Sequence, residues 1–369
     1  MIAAPPAGTS GADMAGRLDG LTDPAVRDLA WLLFSADLLS AQPPRAPLAE
    51  PWNPPADAHA AAQWLIQLDR DPAPLHAVLD GSRPKRLGRY AEILLGWFLE
   101  YGPAARLVAA NVPLRRAGRT LGECDFLVET RDGQRLHWEL AVKCYLHCGN
   151  TYAMHATLAD FVGPGLRDRL DRKRTHLIDH QLRLSEREEF VSLGFPGPWT
   201  AQMFVKGWLF YQAGASAPAA VNDPPALARG HARGWWVTRT EWPAFAAQQV
   251  ADGWSALPRM AWLAPRRIAG GKRELSSGMA AAGRMQSELS LRAARSGERV
   301  VDVPGTFADQ MSVAAPVDPE TLLAHLPRLD EPVMVAAFVA DTANGYIEQS
   351  RGFIVPDDWP AQARAFARE

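Results

Sequence analysis

Between Leu121 and Leu146 the spacing of apolar positions predicts two strands joined by a turn. Phe126, Leu127 and Val128 form one apolar run, Arg131-Asp132-Gly133-Gln134 carries turn chemistry, and residues 136–146 are apolar and aromatic again. Upstream, Leu87, Tyr90, Leu94, Trp97 and Phe98 recur at helical spacing, which predicts an amphipathic helix over residues 86–101. An edge strand is expected over 105–114, followed by a basic loop over 115–120. Downstream, Gly163-Pro164-Gly165 breaks the chain. A long helix is expected from residue 166 to about 184, with Leu166, Leu170, Leu177 and Leu184 towards its apolar side. The run T-A-Q-M-F-V-K-G-W-L-F-Y at 200–211 is a strongly apolar strand. The order is helix, three strands, helix, strand.

The flanks read differently. Asp23-Pro24 offers an N-cap followed by proline, and a buried helix is expected to carry L-A-W-L-L-F towards residue 39. A proline-rich linker over 42–55 precedes a short helix over 58–70, with Asp57 as its cap. The chain therefore divides into a helical extension (1–84), a central α/β core (85–211) and a C-terminal α+β part (212–369) packed on it. In that last part Trp235, Trp236, Trp242, Trp254, Trp262 and Trp359 suit the core of a small subdomain, or else stacking on nucleobases.

Composition changes this picture little. The 369 residues are 47% hydrophobic and 22% charged, an ordinary globular balance, and the formal charge is −2. No global basic field announces nucleic acid. Locally, Arg83, Lys85, Arg86, Arg89, Arg106, Arg115, Arg116 and Arg119 face only Glu92 and Glu100 across 83–119. That excess suits either a phosphate backbone or a solvated basic face. Three cysteines fit a reducing cytoplasm better than a secreted disulfide framework. No apolar run of about 18 residues predicts a membrane span, and M-I-A-A-P-P-A-G-T-S lacks the parts of a signal peptide.

The chemistry sits inside the central strands. Asp125 lies near the start of the first, Glu139 lies in the second, and Lys143 follows it. Buried acids are costly without partners, and two carboxylates beside an ammonium are what a divalent-metal phosphodiesterase needs. The phrase G-E-C-D, then strand, turn and H-W-E-L-A-V-K, resembles the PD-(D/E)XK nuclease superfamily over roughly residues 85–211. The L-A-W-L-L run, H-W-E-L-A-V-K and G-P-G-L-R-D-R-L-D-R-K together resemble the DUF1853 family over most of the chain.

The superfamily resemblance implies a restriction-endonuclease-like αβββαβ core with a mixed central sheet. It also implies Mg²⁺ or Mn²⁺ on Asp125 and Glu139, Glu92 as a third acid from the preceding helix, and Lys143 orienting water. A nucleic-acid substrate would then meet Arg89, Arg115, Arg116, Arg119 and Lys173, with Glu123 and Gln181 supporting the acids. One feature departs from the motif: its acid and lysine stand two residues apart, whereas Glu139 and Lys143 are separated by four, or roughly 13 Å along a strand. Three readings follow: a metal-dependent nuclease, a catalytically inactive nuclease fold serving as a nucleic-acid-binding or interaction scaffold, or a tryptophan-rich surface that holds a protein partner. A second cluster, Cys144, His147, Cys148 and His155, has zinc-ligand types at no specific spacing.

Overall fold

The computed structural model describes residues 18–52, 56–149, 156–195, 197–217, 221–269, 306–326, 330–341 and 345–369. Its frame is one mixed ten-stranded sheet with helices on its faces. The expected central order is present: α4 (Leu87–Tyr101), β1 (Arg106–Arg116), β2 (Arg119–Glu129), β3 (Arg135–His147), α5 (Leu170–Asp179) and β5 (Thr200–Gln212). A two-residue strand, β4 (Phe161–Val162), pairs with the end of β3.

β1, β2 and β3 form an antiparallel meander, with β1 at the sheet edge as expected. β3 then pairs parallel with β5 over eleven residue pairs, Leu136↔Thr200 to Leu146↔Phe210. Both strands are buried along most of their length because both faces are covered. On one face Trp138, Leu140 and Val142 join Phe126 and Val128 against α4 and the N-terminal helices. On the other, Ala141 and Tyr145 pack with Leu177 and Ile178 of α5.

The N-terminal part supplies α1 (Pro24–Phe34), α2 (Ala56–Arg70) and α3 (Ala73–Ser82). The Asp23 carboxylate accepts from the amides of Ala25 and Val26, capping α1 as its sequence implies. α1 ends five residues before the expected point. Ser35 turns extended, and the Asp37 carboxylate takes the Val205 amide and the Lys206 ammonium. Asp57 lies inside the first turn of α2, buried and bonded to Arg131, so it is not the cap. The proline-rich stretch is more than a connection, because Pro47 and Ala49 bond to Met203 on the side of β5 away from β3, ahead of the point where β6 pairs.

β6 (Ala232–Thr238) continues the sheet beside β5, in parallel, and is followed by β10 (Tyr346–Val355), β9 (Val333–Ala340) and β7 (Gly253–Ala256). A short β8 (Arg267–Ile268) pairs with β10. The C-terminal part therefore adds strands to the same sheet. Four of its tryptophans are core: Trp242 and Trp254 are buried in edge contact, and Trp236 packs against Trp359 of the terminal helix α6 (Trp359–Arg368), while Trp235 and Trp262 are half-buried. Among the described residues no helix is long and apolar enough to cross a membrane.

The long helix expected over 166–184 is shorter. Leu166 sits at φ +50°, outside the helical region, in a loop closed by the Gly163 amide on the Asp168 carbonyl. After Asp179 the backbone breaks at His180 and resumes as a 3₁₀ segment, Gln181–Glu186.

Gly207, opposite Lys143 on β5, holds φ +146°, and a Cβ there would stand 1.7 Å from the Lys143 carbonyl oxygen. Gly207→Ala is expected to lower unfolding free energy by about 2 kcal/mol or more, measured by denaturant titration. A loss below about 0.5 kcal/mol would show that β3 and β5 part easily at this point.

Candidate metal centre

The site begins where two strands stop pairing. β2 and β3 are in register from Glu129↔Arg135 to Phe126↔Trp138, and the ladder ends there. The next inward-facing amide, that of Leu140, donates to Asp125 Oδ2 at 2.9 Å instead of to backbone. β1 deforms at the same level: Asn111, between the pairs Ala110↔Phe126 and Val112↔Cys124, has φ +53°. Strict alternation along β2 fails here. Cys124 packs with Leu127, Leu184 and Phe190, while Phe126 and Val128 face α4.

Glu139 is fully buried and surrounded by named partners. Its Oε1 lies 2.7 Å from His137 Nε2, and its Oε2 accepts from Gln181 Nε2 at 2.6 Å. Gln181 Oε1 accepts in turn from Lys173 Nζ at 2.7 Å. The His137 ring is fixed from behind by Ser185 Oγ, 3.0 Å from Nδ1. The break at His180 turns both Gln181 and Ser185 towards β3.

Electrostatics mark the same place. Burial, then the Glu139 charge, pushes Asp125 up to about 8, with Glu92 adding to the rise. Burial also pushes Glu139 up to about 8, against the pull of the Asp125 amide and Lys173. Burial lowers Lys173, and Lys143 lowers it further, while both acids oppose this. His137 is pushed down to about 4 by burial, so its imidazole is neutral near pH 7. Cys124 is raised well above the usual thiol range, by burial first and then by Glu139 and Asp125.

The residues singled out in the sequence separate into two groups. Asp125 and Glu139 come together, Glu92 acts on Asp125 through space, and Glu123 adds negative charge near Glu139. Gln181 touches Glu139 directly. Lys143 does not join them: its ammonium pairs with Asp168 Oδ2 at 2.5 Å, and the Tyr145 hydroxyl donates to the same oxygen. Four residues along β3 is too far for it to share the acids' position. Lys173, expected on a phosphate-facing surface, is the cation next to the acids.

Arg89 pairs with Glu92 and with Asn111. Arg116 pairs with Glu189, while Arg115 and Arg119 stand exposed at the β1–β2 turn. Of the second cluster, His155 lies outside the described residues. Cys148 donates to the Asp160 carbonyl and His147 stacks on Tyr211. Two neighbours, His137 and Ser185, went unnamed. His137 is two positions before Glu139 and shares its face by strand alternation, a signal that was there to read.

The family model for DUF1853, described as a domain of unknown function, matches residues 27–355. The chain belongs to the DUF1853 family. No curated protein and no solved structure matches it. The acids of this DUF1853 chain fit a hard divalent cation on their own chemistry. Two carboxylates that burial drives towards protonation at neutral pH, Asp125 further so by the Glu139 charge, need either protons or a cation, and the Lys173 ammonium beside them is itself depressed.

The pH dependence follows with a definite sign. Both carboxylates hold protons more tightly folded than unfolded, where their values lie near 4. Their contribution to stability is complete below about pH 4 and is lost as pH rises through about 8. Chelated DUF1853 protein should therefore melt lower at pH 8.5 than at pH 5.5. Asp125→Asn should melt a few degrees above wild type at pH 8.5 and by a smaller margin at pH 5.5. A differential scan at the two values decides, and equal behaviour of both proteins at pH 8.5 would contradict the shifted acids.

Proposed function

We propose that this DUF1853 protein is a metal-dependent phosphodiesterase acting on nucleic acid, of the PD-(D/E)XK type, in a reducing cytoplasm that keeps its three cysteines free. One observation carries the reading. Asp125 and Glu139, from adjacent strands, meet in the desolvated gap where the β2–β3 ladder ends, with Lys173 as the facing ammonium. The helix, three strands, helix, strand order and the G-E-C-D phrase support it.

Asp125 and Glu139 would hold Mg²⁺ or Mn²⁺, with Glu92 as the third acid. The bound ion would supply Lewis-acid polarisation of the phosphate and a lowered pKa for an attached water. Gln181 and His137 fix the Glu139 carboxylate in one orientation, so no reorganisation is needed when charge develops. Lys173, tethered through Gln181, places positive charge beside the acids, where it can orient water and stabilise the developing phosphorane charge. Lys143 has no part in this arrangement.

A second reading has its own observation. Glu139 exposes no surface, and both of its oxygens already have partners: one accepts from Gln181 and the other lies 2.7 Å from His137 Nε2. A nuclease fold without chemistry, serving as a nucleic-acid-binding or interaction scaffold, fits that description. Cleavage assays with Mg²⁺ and Mn²⁺ on duplex, branched and single-stranded DNA and on RNA separate the two. On the phosphodiesterase reading, Asp125→Ala and Glu139→Gln each cost roughly a hundredfold or more in kcat. Lys173→Ala should cost about as much, whereas Lys143→Ala stays within a few-fold of wild type. If no substrate is cut by wild type, or if Lys143→Ala alone abolishes cutting, the assignment fails.

A further inference from the structure

The gap holds a second set of ligand atoms, of a different kind. One donor atom each from Cys124, His137 and Glu139 lies within 4.8 Å of the other two, and all three side chains are fully buried. We infer that these three residues form a binding site for a borderline-soft transition-metal ion such as Zn²⁺, beside the hard-ion position of Asp125 and Glu139. The inference does not rest on the phosphodiesterase reading and shares only Glu139 with it.

Donor chemistry is the first argument. A thiol and an imidazole add nothing for Mg²⁺, which takes oxygen, but with one carboxylate they form a sulfur, nitrogen, oxygen set suited to tetrahedral Zn²⁺. Ligand bonds of about 2.0–2.3 Å place the donor atoms of such a set within the observed separations. Binding replaces the Cys124 S–H bond by a sulfur–metal bond, and the proton leaves to solvent.

Orientation is the second and independent argument. A metal-binding imidazole typically has its other nitrogen held by a neighbour, which fixes tautomer and ring direction. Ser185 Oγ holds His137 Nδ1 at 3.0 Å and leaves Nε2 directed at Glu139. Gln181 holds the far oxygen of that carboxylate. The outer layer that such a site needs is thus in place, and it comes from the 3₁₀ segment, not from the strands that carry the ligands.

The chain has three cysteines, Cys124, Cys144 and Cys148, which makes the test clean. The full-length protein is stripped with chelator and titrated with Co²⁺ as a spectroscopic probe, then with Zn²⁺ in competition. Wild type should show a near-ultraviolet thiolate-to-cobalt charge-transfer band that Zn²⁺ abolishes. The double variant Cys144→Ser/Cys148→Ser, which leaves the site untouched and Cys124 as the sole thiol, should keep that band. Cys124→Ser should lose it and bind Zn²⁺ at least about tenfold more weakly, and Ser185→Ala should also weaken Zn²⁺ about tenfold.

Asp125→Asn should retain the band, whatever it does to cleavage, so the two proposals fail separately. Absence of the band in wild type, its survival in Cys124→Ser, or its loss in the double variant would each overturn the inference. If Cys124→Ser does not fold, the wild type and the double variant still decide between these outcomes.

Discussion

The constraint on which this molecule turns is the end of the β2–β3 ladder. A sheet that stops pairing in its interior leaves backbone amides without partners, and a buried amide without a partner is costly. Here an acid takes up that role. Asp125 accepts from the Leu140 amide, so its carboxylate replaces a missing strand carbonyl, with the buried Glu139 charge acting on it from the next strand. The same substitution brings two negative groups together in a place water scarcely enters. The strain is electrostatic rather than steric, and it appears as two raised proton affinities. A fold that only needed to close its sheet would do so with backbone carbonyls and carry no such penalty.

A buried ionic frame ties the helices on one face of the sheet to its C-terminal part. Asp28 of α1 accepts from Arg266, the Ala264 amide and the Tyr90 hydroxyl of α4. Arg351 of β10 pairs with Glu348 and donates to the carbonyls of Trp262 and Ala264. Buried ion pairs contribute little net stability once desolvation is counted, yet breaking one costs heavily because the survivor is stranded. Their consequence here is positional. α1 and α4 are locked to the C-terminal part of the sheet, and α4 carries Glu92 to the rim of the gap. The C-terminal strands therefore bear on the site without touching it.

Much of the fold could be read from the chain because its signals were local. The α4 spacing of Tyr90, Leu94 and Phe98, the Asp23 cap and the apolar runs of β3 and β5 each depend on a few adjacent residues, and each appears where expected. Asp125 and Glu139 were legible for a related reason: acids inside apolar strands stand out. What escaped was set by backbone geometry between elements. The apolar leucines of 166–184 suggested one helix, but Leu166 in the left-handed region and the break at His180 shorten it at both ends. The continuity of β5 with β6 was hidden by an Ala- and Pro-rich stretch that looked like a boundary. The deformation at Asn111 and Cys124, which changes which face of β2 looks where, has no signature in the hydrophobic pattern.

The cation shows most clearly why spacing alone misleads. Along β3 the ammonium nearest in sequence to Glu139 is Lys143, and alternation does put the two on one face. A strand is stiff, however, and four residues carry Lys143 to a different neighbour, Asp168, whose loop is closed by Gly163. The helix that follows that loop crosses the same face and returns Lys173 to the acids, and the 3₁₀ turn adds Gln181 between them. Lys143 is near enough to add to the lowering of Lys173. The site thus keeps one ammonium beside its carboxylates and sequesters the second against Asp168. A lysine supplied from a helix is free of the two-residue spacing that a strand would impose, so the departure from that spacing in the sequence is no argument against an acid-and-ammonium site. What it changes is which residue must be removed to find out.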